Sequence, residues 1–168
     1  MNLENPQPQE NHEDGSKIEA ELLSAVKHNY ANGHMPRSAY DLDGTATATQ
    51  LIQEGNVSED FLNSTEYQDA LKSRLLRQFN EEGRLVFPTG LRATEETLKD
   101  AEIQQLAKKQ VMELLDVKNW PTESTIGLAQ ETVDDFLLDS TFTDSPEYVD
   151  ALSTAKAFVE NSKESLLK

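Results

Sequence analysis

Two stretches of the chain, 81 positions apart, are near copies of each other: Phe61-Leu62-Asn63-Ser64-Thr65-Glu66-Tyr67-Gln68-Asp69-Ala70-Leu71 and Phe142-Thr143-Asp144-Ser145-Pro146-Glu147-Tyr148-Val149-Asp150-Ala151-Leu152. Seven of the eleven positions match without a gap. A self-match of this kind constrains architecture before any single residue does, because it asks for one local structure twice. The matched residues describe a helix start, with Ser64 or Ser145 as N-cap and a glutamate in the first turn. Short apolar helical stretches precede them, Gln50-Leu51-Ile52 in one case and Phe136-Leu137-Leu138 in the other. Two copies are too few for a solenoid. The expectation is therefore one helical domain over 16–168 that contains related helix-hairpin units at 45–83 and 124–168. Tyr67 and Tyr148 should then be buried, with Leu71 and Leu152 one turn further along the same face.

Periodicity fills in the rest. Ser16-Lys17-Ile18-Glu19 reads as a capping box, and Ile18, Leu22, Val26 and Tyr30 follow at four-residue spacing, which predicts a helix over 17–31 stopped by Asn32-Gly33. A short helix is expected over 46–54, an amphipathic one over 65–82, and the longest over 95–117, broken by Asn119-Trp120-Pro121. Ile126, Ala129, Val133, Phe136 and Leu137 carry helical spacing to about 138. Asp139–Asp144 reads as a polar loop. Ser145-Pro146-Glu147 opens the last helix, with proline where its missing N–H costs least. Leu85-Val86-Phe87 alone looks extended, and without a partner strand it reads as a linker tucked onto the core. The fold class is all-α, a bundle or orthogonal array of five or six helices. Residues 1–15 hold almost nothing to bury and are expected to form a flexible acidic tail. Trp120, with its large apolar area, is expected to plug the core, the alternative being an exposed anchor for a partner.

Charge narrows the function classes. Of 168 residues, 31 are acidic and 15 basic, a formal balance of −16. Between Lys118 and Lys156 there is no Lys or Arg, while Glu123, Glu131, Asp134, Asp135, Asp139, Asp144, Glu147 and Asp150 all fall there. Such a field repels nucleic-acid phosphates and anionic lipid, so neither nucleic acid nor a membrane is expected as a partner. It favours a basic protein surface. The converse concentration, Lys72, Arg74, Arg77, Arg84 and Arg92, reads as a solvated helix face that balances the acidic half or, more sharply, as a second docking patch. Cysteine is absent, which removes disulfides, thiolate metal sites and cysteine nucleophiles. The first residues carry no basic region and no apolar run, so no secretory signal is expected, and the chain reads as cytoplasmic or part of a particle assembled there.

Asp41-Leu42-Asp43-Gly44-Thr45 resembles the first motif of haloacid-dehalogenase-type phosphatases. The resemblance implies Asp41 as a covalent nucleophile, Asp43 as acid/base and a bound Mg²⁺, with Thr89 and the acids Asp134, Asp135 and Asp139 as echoes of later motifs. That motif closes a buried parallel strand, which reads as an apolar run. Here the preceding Met35-Pro36-Arg37-Ser38-Ala39-Tyr40 is polar and contains proline, and nothing alternates strand with helix. An Asp-x-Asp-Gly turn between helices accounts for the same residues. As an EF-hand loop the segment fails too, since Ala39 and Gln50 would occupy the first and twelfth ligand posts. His12, His28 and His34 are too scattered to hold a metal.

These readings converge on a non-catalytic protein-interaction protein, an adaptor or structural subunit of a larger assembly such as a phage particle, with no cofactor and no metal. The residues expected to touch neighbouring protein subunits, in an oligomer or with basic partners, are Asp134, Asp135, Asp139 and Asp144 on one side and Lys72, Arg74 and Arg77 on the other. Asp134, Asp135 and Asp139 should face solvent while Val133, Phe136 and Leu137 take the core side. The competing expectation is a free acidic inhibitor or immunity-type protein that plugs a basic site or mimics nucleic acid. An Mg²⁺-dependent phosphatase acting through Asp41 comes last.

Overall fold

The computed structural model of the chain describes residues 7–30 and 36–167, and their side chains over 15–30 and 36–165. Its regular structure is helical throughout the described residues. Six longer helices are α1 (Gln7–Lys27), α2 (Thr45–Gln53), α4 (Thr65–Glu82), α6 (Ala101–Leu115), α7 (Glu123–Asp135) and α9 (Pro146–Leu167). Single turns make up α3 (Glu59–Leu62), α5 (Glu95–Leu98) and α8 (Ser140–Thr143), and 3₁₀ turns cover Thr89–Leu91 and Val117–Asn119. The expected all-α array is what forms.

Several boundaries differ for identifiable reasons. α1 starts at Gln7, so Ser16 lies inside a helix and does not open one. Pro8 falls in its first turn, where a missing N–H breaks no intrahelical bond. Of the stretch expected to be a flexible tail, residues 7–15 thus lie in α1, and 1–6 fall outside the described residues. α1 also stops early, at Lys27. His28 adopts a left-handed φ of 56°. The His28 N–H then reaches the Ala25 carbonyl at 3.2 Å and the Asn29 N–H the Ser24 carbonyl at 3.0 Å, a Schellman closure. The helix expected over 95–117 is cut in two. The Asp100 carboxylate accepts the N–H groups of Glu102 at 3.0 Å and Ile103 at 3.3 Å and so begins α6 afresh.

The chain divides into two compact units. The first holds the residues up to Arg77 together with Pro88–Thr97; the second holds Gln78–Phe87 and Leu98–Lys168. In the first unit the core gathers Leu22, Ala25 and Val26 of α1, Ala48 and Leu51 of α2, and Tyr67, Ala70 and Leu71 of α4, closed by Leu91. The Tyr67 hydroxyl donates to the Leu91 carbonyl. Gln68, also buried, donates to the Leu62 carbonyl at 2.6 Å and accepts from the Thr94 N–H at 2.9 Å and the Thr97 hydroxyl at 2.6 Å. One side chain thus fastens the 88–97 segment onto α3 and α4.

In the second unit α6 packs along α7, and both lie against α9. Ile103, Ala107, Val111 and Leu115 of α6 meet Ile126, Ala129 and Val133 of α7 and Tyr148, Ala155 and Val159 of α9 as the buried set. Thr122 and Thr125 form a reciprocal capping box that begins α7. The extended linker does tuck in: the Gln110 amide bonds both the N–H and the C=O of Leu85, and the Phe87 ring stands edge-on to Phe136 at 6.0 Å.

The two copies of the repeat adopt one structure. In each, an N-cap (Ser58 or Asp139) starts a single turn, whose last carbonyls are met by the next serine. The Ser64 and Ser145 hydroxyls each donate to a phenylalanine carbonyl, of Phe61 and Phe142, at 2.6 Å. Each serine then accepts the N–H of its tyrosine, at 3.2 Å for Tyr67 and 3.3 Å for Tyr148. The phenylalanine and tyrosine rings pack at 5.8 Å in the first copy and 5.0 Å in the second, both tilted. Tyr67, Tyr148 and Leu71 are buried as expected, and Leu152 is half-buried. The polar loop expected over Asp139–Asp144 is the single turn α8. The shared sequence therefore specifies a turn, a reverse of direction and a long helix, each with the same internal bonds.

Candidate interaction surfaces

The acidic run folds into α7, α8 and the first half of α9. Its carboxylates all reach solvent: Glu123, Glu131, Asp134, Asp139, Asp144, Glu147 and Asp150 are exposed and Asp135 is half-buried. Lys163 pairs with Glu123, and this is the one ion pair among the described residues that draws on the run. Asp139 combines two tasks, because its carboxylate accepts the Thr141 N–H at 3.1 Å and caps α8. The Asp135 carboxyl is held above its usual range, first by burial and then by the negative charges of Glu131 and Asp134. The core side departs from expectation at Leu137. A left-handed φ of 56° at Leu137 turns the chain at the end of α7 and leaves its side chain exposed, while Leu138 goes inside.

Beside this face the second unit contains an open groove of about 500 Å³, bounded by the linker at residues 83–87, by α6 and by α7. Its apolar surface comes from Leu85, Val86, Phe87, Leu114, Leu128 and Phe136. Val86 and Leu128 are 43% and 46% exposed, large fractions for side chains of that kind. Glu113, Glu131 and Asp135 line the same groove, with Arg84 as the cation. Residues 83–87 and Leu128 were not expected to form a surface. Their signal was present only as an apolar linker and as one leucine off the buried stripe of α7.

Among the basic residues, Arg74 is not on a surface. It is 3% exposed, and its Nη1 donates to the carbonyls of Ala25 at 3.5 Å, Val26 at 3.2 Å and Asp43 at 2.7 Å. Its Nη2 donates to the Thr45 hydroxyl and lies 3.5 Å from the Asp43 carboxylate. Arg77 is half-buried and donates to the Lys27 carbonyl. The two guanidinium groups cap the C-terminal carbonyls of α1, where positive charge also suits the helix dipole. The expected basic docking patch is thereby corrected at Arg74, whose charge is spent inside. Lys72 is half-buried on the same helix.

The phosphatase-like motif has become a helix anchor. Asp41 is buried, and its carboxylate accepts the Thr47 N–H at 2.7 Å, the Ala46 N–H at 3.2 Å and the Thr47 hydroxyl at 2.5 Å. Both oxygens are thus committed to the N-terminus of α2. The Asp43 carboxylate accepts the Thr45 N–H at 3.0 Å. Burial acts the other way, but the bonds from Thr45 and the Arg74 charge hold the Asp43 carboxyl below its ordinary value. Gly44 has φ 77°, and a Cβ there would sit 2.0 Å from the Ala25 carbonyl oxygen, so this turn is pressed against the end of α1. Residues 36–44 form bends and turns. Among the described residues no group of three His, Asp or Glu side chains is placed to hold a metal ion, and no helix is long and apolar enough to cross a membrane.

Trp120 is corrected from core to surface. It is 73% exposed, with φ 52° at the end of the 3₁₀ turn, and it touches the Phe158 ring edge-on at 5.3 Å. Pro121 takes the buried place instead. No family model matches this chain, and no curated protein or solved structure matches it either.

Proposed function

We propose that the chain is a non-catalytic protein-interaction protein, an adaptor or structural subunit of a larger assembly, that meets basic neighbours through its second unit. One observation carries the reading. Seven carboxylates between residues 131 and 150 reach solvent with no ion-pair partner among the described residues, on a stretch that contains no Lys or Arg. A protein that needed net negative charge only for solubility has no need to gather it into one stretch without a cation, since dispersed acids serve as well. A single-signed field steers an oppositely charged partner and raises its rate of encounter. The commitment of Asp41 to the α2 N-terminus supports the non-catalytic side of the proposal, since a nucleophile needs a free oxygen. A phage particle is one setting for such a subunit.

The test is the mass of the native complex formed in the cell of origin, measured after gentle recovery of a tagged chain. A subunit is recovered in an assembly of fixed stoichiometry that dissociates as salt is raised. Recovery as a lone monomer, with no stoichiometric partner at any salt concentration, refutes the proposal. Release of phosphate from a generic phosphate ester with Mg²⁺, abolished in Asp41→Asn, overturns its non-catalytic part.

A further inference from the structure

Resting on that reading, we infer that the groove between the 83–87 linker, α6 and α7 is a peptide site for a partner segment that alternates Lys or Arg with bulky apolar side chains. Three features lead there. First, the groove is built. Its floor is fixed by the double bond of the Gln110 amide to the Leu85 backbone and by the edge-on contact of Phe87 with Phe136. Second, it presents apolar area to water, in Val86 and Leu128, that no described residue covers. Pockets of roughly 300–1,000 Å³ with a few placed polar groups are the usual size of ligand sites. Third, its polar groups are unbalanced. Glu113, Glu131 and Asp135 stand against the single Arg84, so an acidic or neutral occupant leaves carboxylates facing each other across a drying site, while a basic one pairs them.

The spacing suggests the form of the occupant. Glu131 and Asp135 are one helical turn apart, about 6 Å along α7, with Leu128 on the neighbouring stretch of the same face. Alternate residues of an extended strand are about 6.5–7 Å apart. An extended peptide can therefore set successive basic side chains against the two carboxylates while its apolar side chains cover Val86 and Leu128. Nucleic acid has the wrong charge for this rim.

The experiment uses the full chain and three labelled hexapeptides: Lys-Leu repeated three times, Glu-Leu repeated three times and Lys-Ser repeated three times. Binding is followed by anisotropy at low salt and located by amide chemical-shift changes. The Lys-Leu peptide should bind with a Kd of roughly 10–100 μM, and the other two at least tenfold more weakly. Its shifts should fall on Val86, Leu114, Leu128 and Asp135. The double variant Glu131→Gln/Asp135→Asn should raise the Kd about three- to tenfold, an effect that fades in high salt. Leu128→Ser should raise it at least threefold at every salt concentration. Both changes sit at exposed or half-buried positions, and an unaltered far-UV spectrum confirms the fold. Equal binding of the Lys-Ser peptide, shifts centred on Asp144–Asp150, or no binding at about 1 mM would each overturn the groove assignment. The acidic-face proposal would survive each of these results, because it fails only when the chain is recovered with no stoichiometric partner of its own.

Discussion

Arg74 offers the sharpest test of how the first unit is held together. Its guanidinium is buried and supplies donors to the Val26 and Asp43 carbonyls, and a further long one to the Ala25 carbonyl, which the His28 N–H also serves. Arg74→Met fills much of the same volume and removes every donor. Two carbonyls then lose their partners, at about 1–3 kcal/mol each when buried. The Asp43 side of the site is partly open to water, which can replace some of that loss. The expected destabilisation is therefore near the lower middle of the range, about 3 kcal/mol. With a urea m-value of about 2 kcal/mol/M, the midpoint should fall by about 1.5 M with little change in slope. Arg74→Lys keeps a charge but replaces the planar fork with one ammonium, which reaches only some of these acceptors, so it should lose roughly half as much. Far-UV circular dichroism against urea reads both. If Arg74→Met costs less than about 1 kcal/mol, the capping argument is wrong.

Further outcomes follow from the same geometry. Gly44→Ala should destabilise by more than about 2 kcal/mol, because its Cβ meets the Ala25 carbonyl, whereas Gly55→Ala, with φ 76° but open space around it, should cost only about 1 kcal/mol; thermal melts of the pair separate the clash from the backbone strain. Tyr67→Ala should cost about 3–5 kcal/mol and Tyr148→Ala about 2–4 kcal/mol, since the first is fully buried and hydrogen-bonded and the second slightly exposed; chemical denaturation with no loss at either position would sever the structural equivalence of the two copies. Asp135 titrates above its unfolded value of 3.8 in the folded chain, so the folded state holds the proton more tightly and stability declines as pH rises through that interval. Asp135→Asn should abolish that decline and leave the chain more stable near neutrality, as judged by urea midpoints across pH 3–7; an unchanged pH profile would mean the carboxyl is fully hydrated.

What was legible in the sequence was whatever repeats at the helical period or sits at a helix start. The apolar stripes of α4, α7 and α9 and the Ser64 and Ser145 caps were read at nearly their true positions because propensity, capping and burial agree there. The misreadings share a different cause. His28, Trp120 and Leu137 all adopt left-handed backbone without being glycine, so no local signal marked where α1 ends, where the 3₁₀ turn closes or which of two leucines points inward. Arg74 was misread because charge on an amphipathic helix normally faces water. Only the approach of α1's end to α4, a contact between residues some fifty positions apart, gives a buried guanidinium its acceptors. The groove was invisible for a similar reason, since its walls come from three separate segments.

The repeat also shows how one scaffold was turned to two ends. Shifting the first copy by 81 positions places Val149 where Gln68 stands, Ala155 where Arg74 stands and Phe158 where Arg77 stands. In the first unit these three positions hold the polar groups that tie the 88–97 segment to α3 and α4 and cap the carbonyls of α1. Arg74 and Arg77 spend their donors on the end of α1, and Arg74 also on the Asp43 carbonyl before α2. In the second unit the connection from α6 to α7 is short and closed by its own 3₁₀ turn and capping box, and no buried donors are required there. Ala155 packs inside, Phe158 supports Trp120 and Val149 is exposed. Freed from that internal work, the second unit can place its charged side chains outward, and between Lys118 and Lys156 all of them are acids. Exchanging Val149 for Gln or Ala155 for Arg should therefore gain no stability, since Val149 is exposed and Ala155 is fully buried, where a larger side chain overpacks the core. A stabilised Ala155→Arg variant would show that the two units share more than the helix start they visibly have in common.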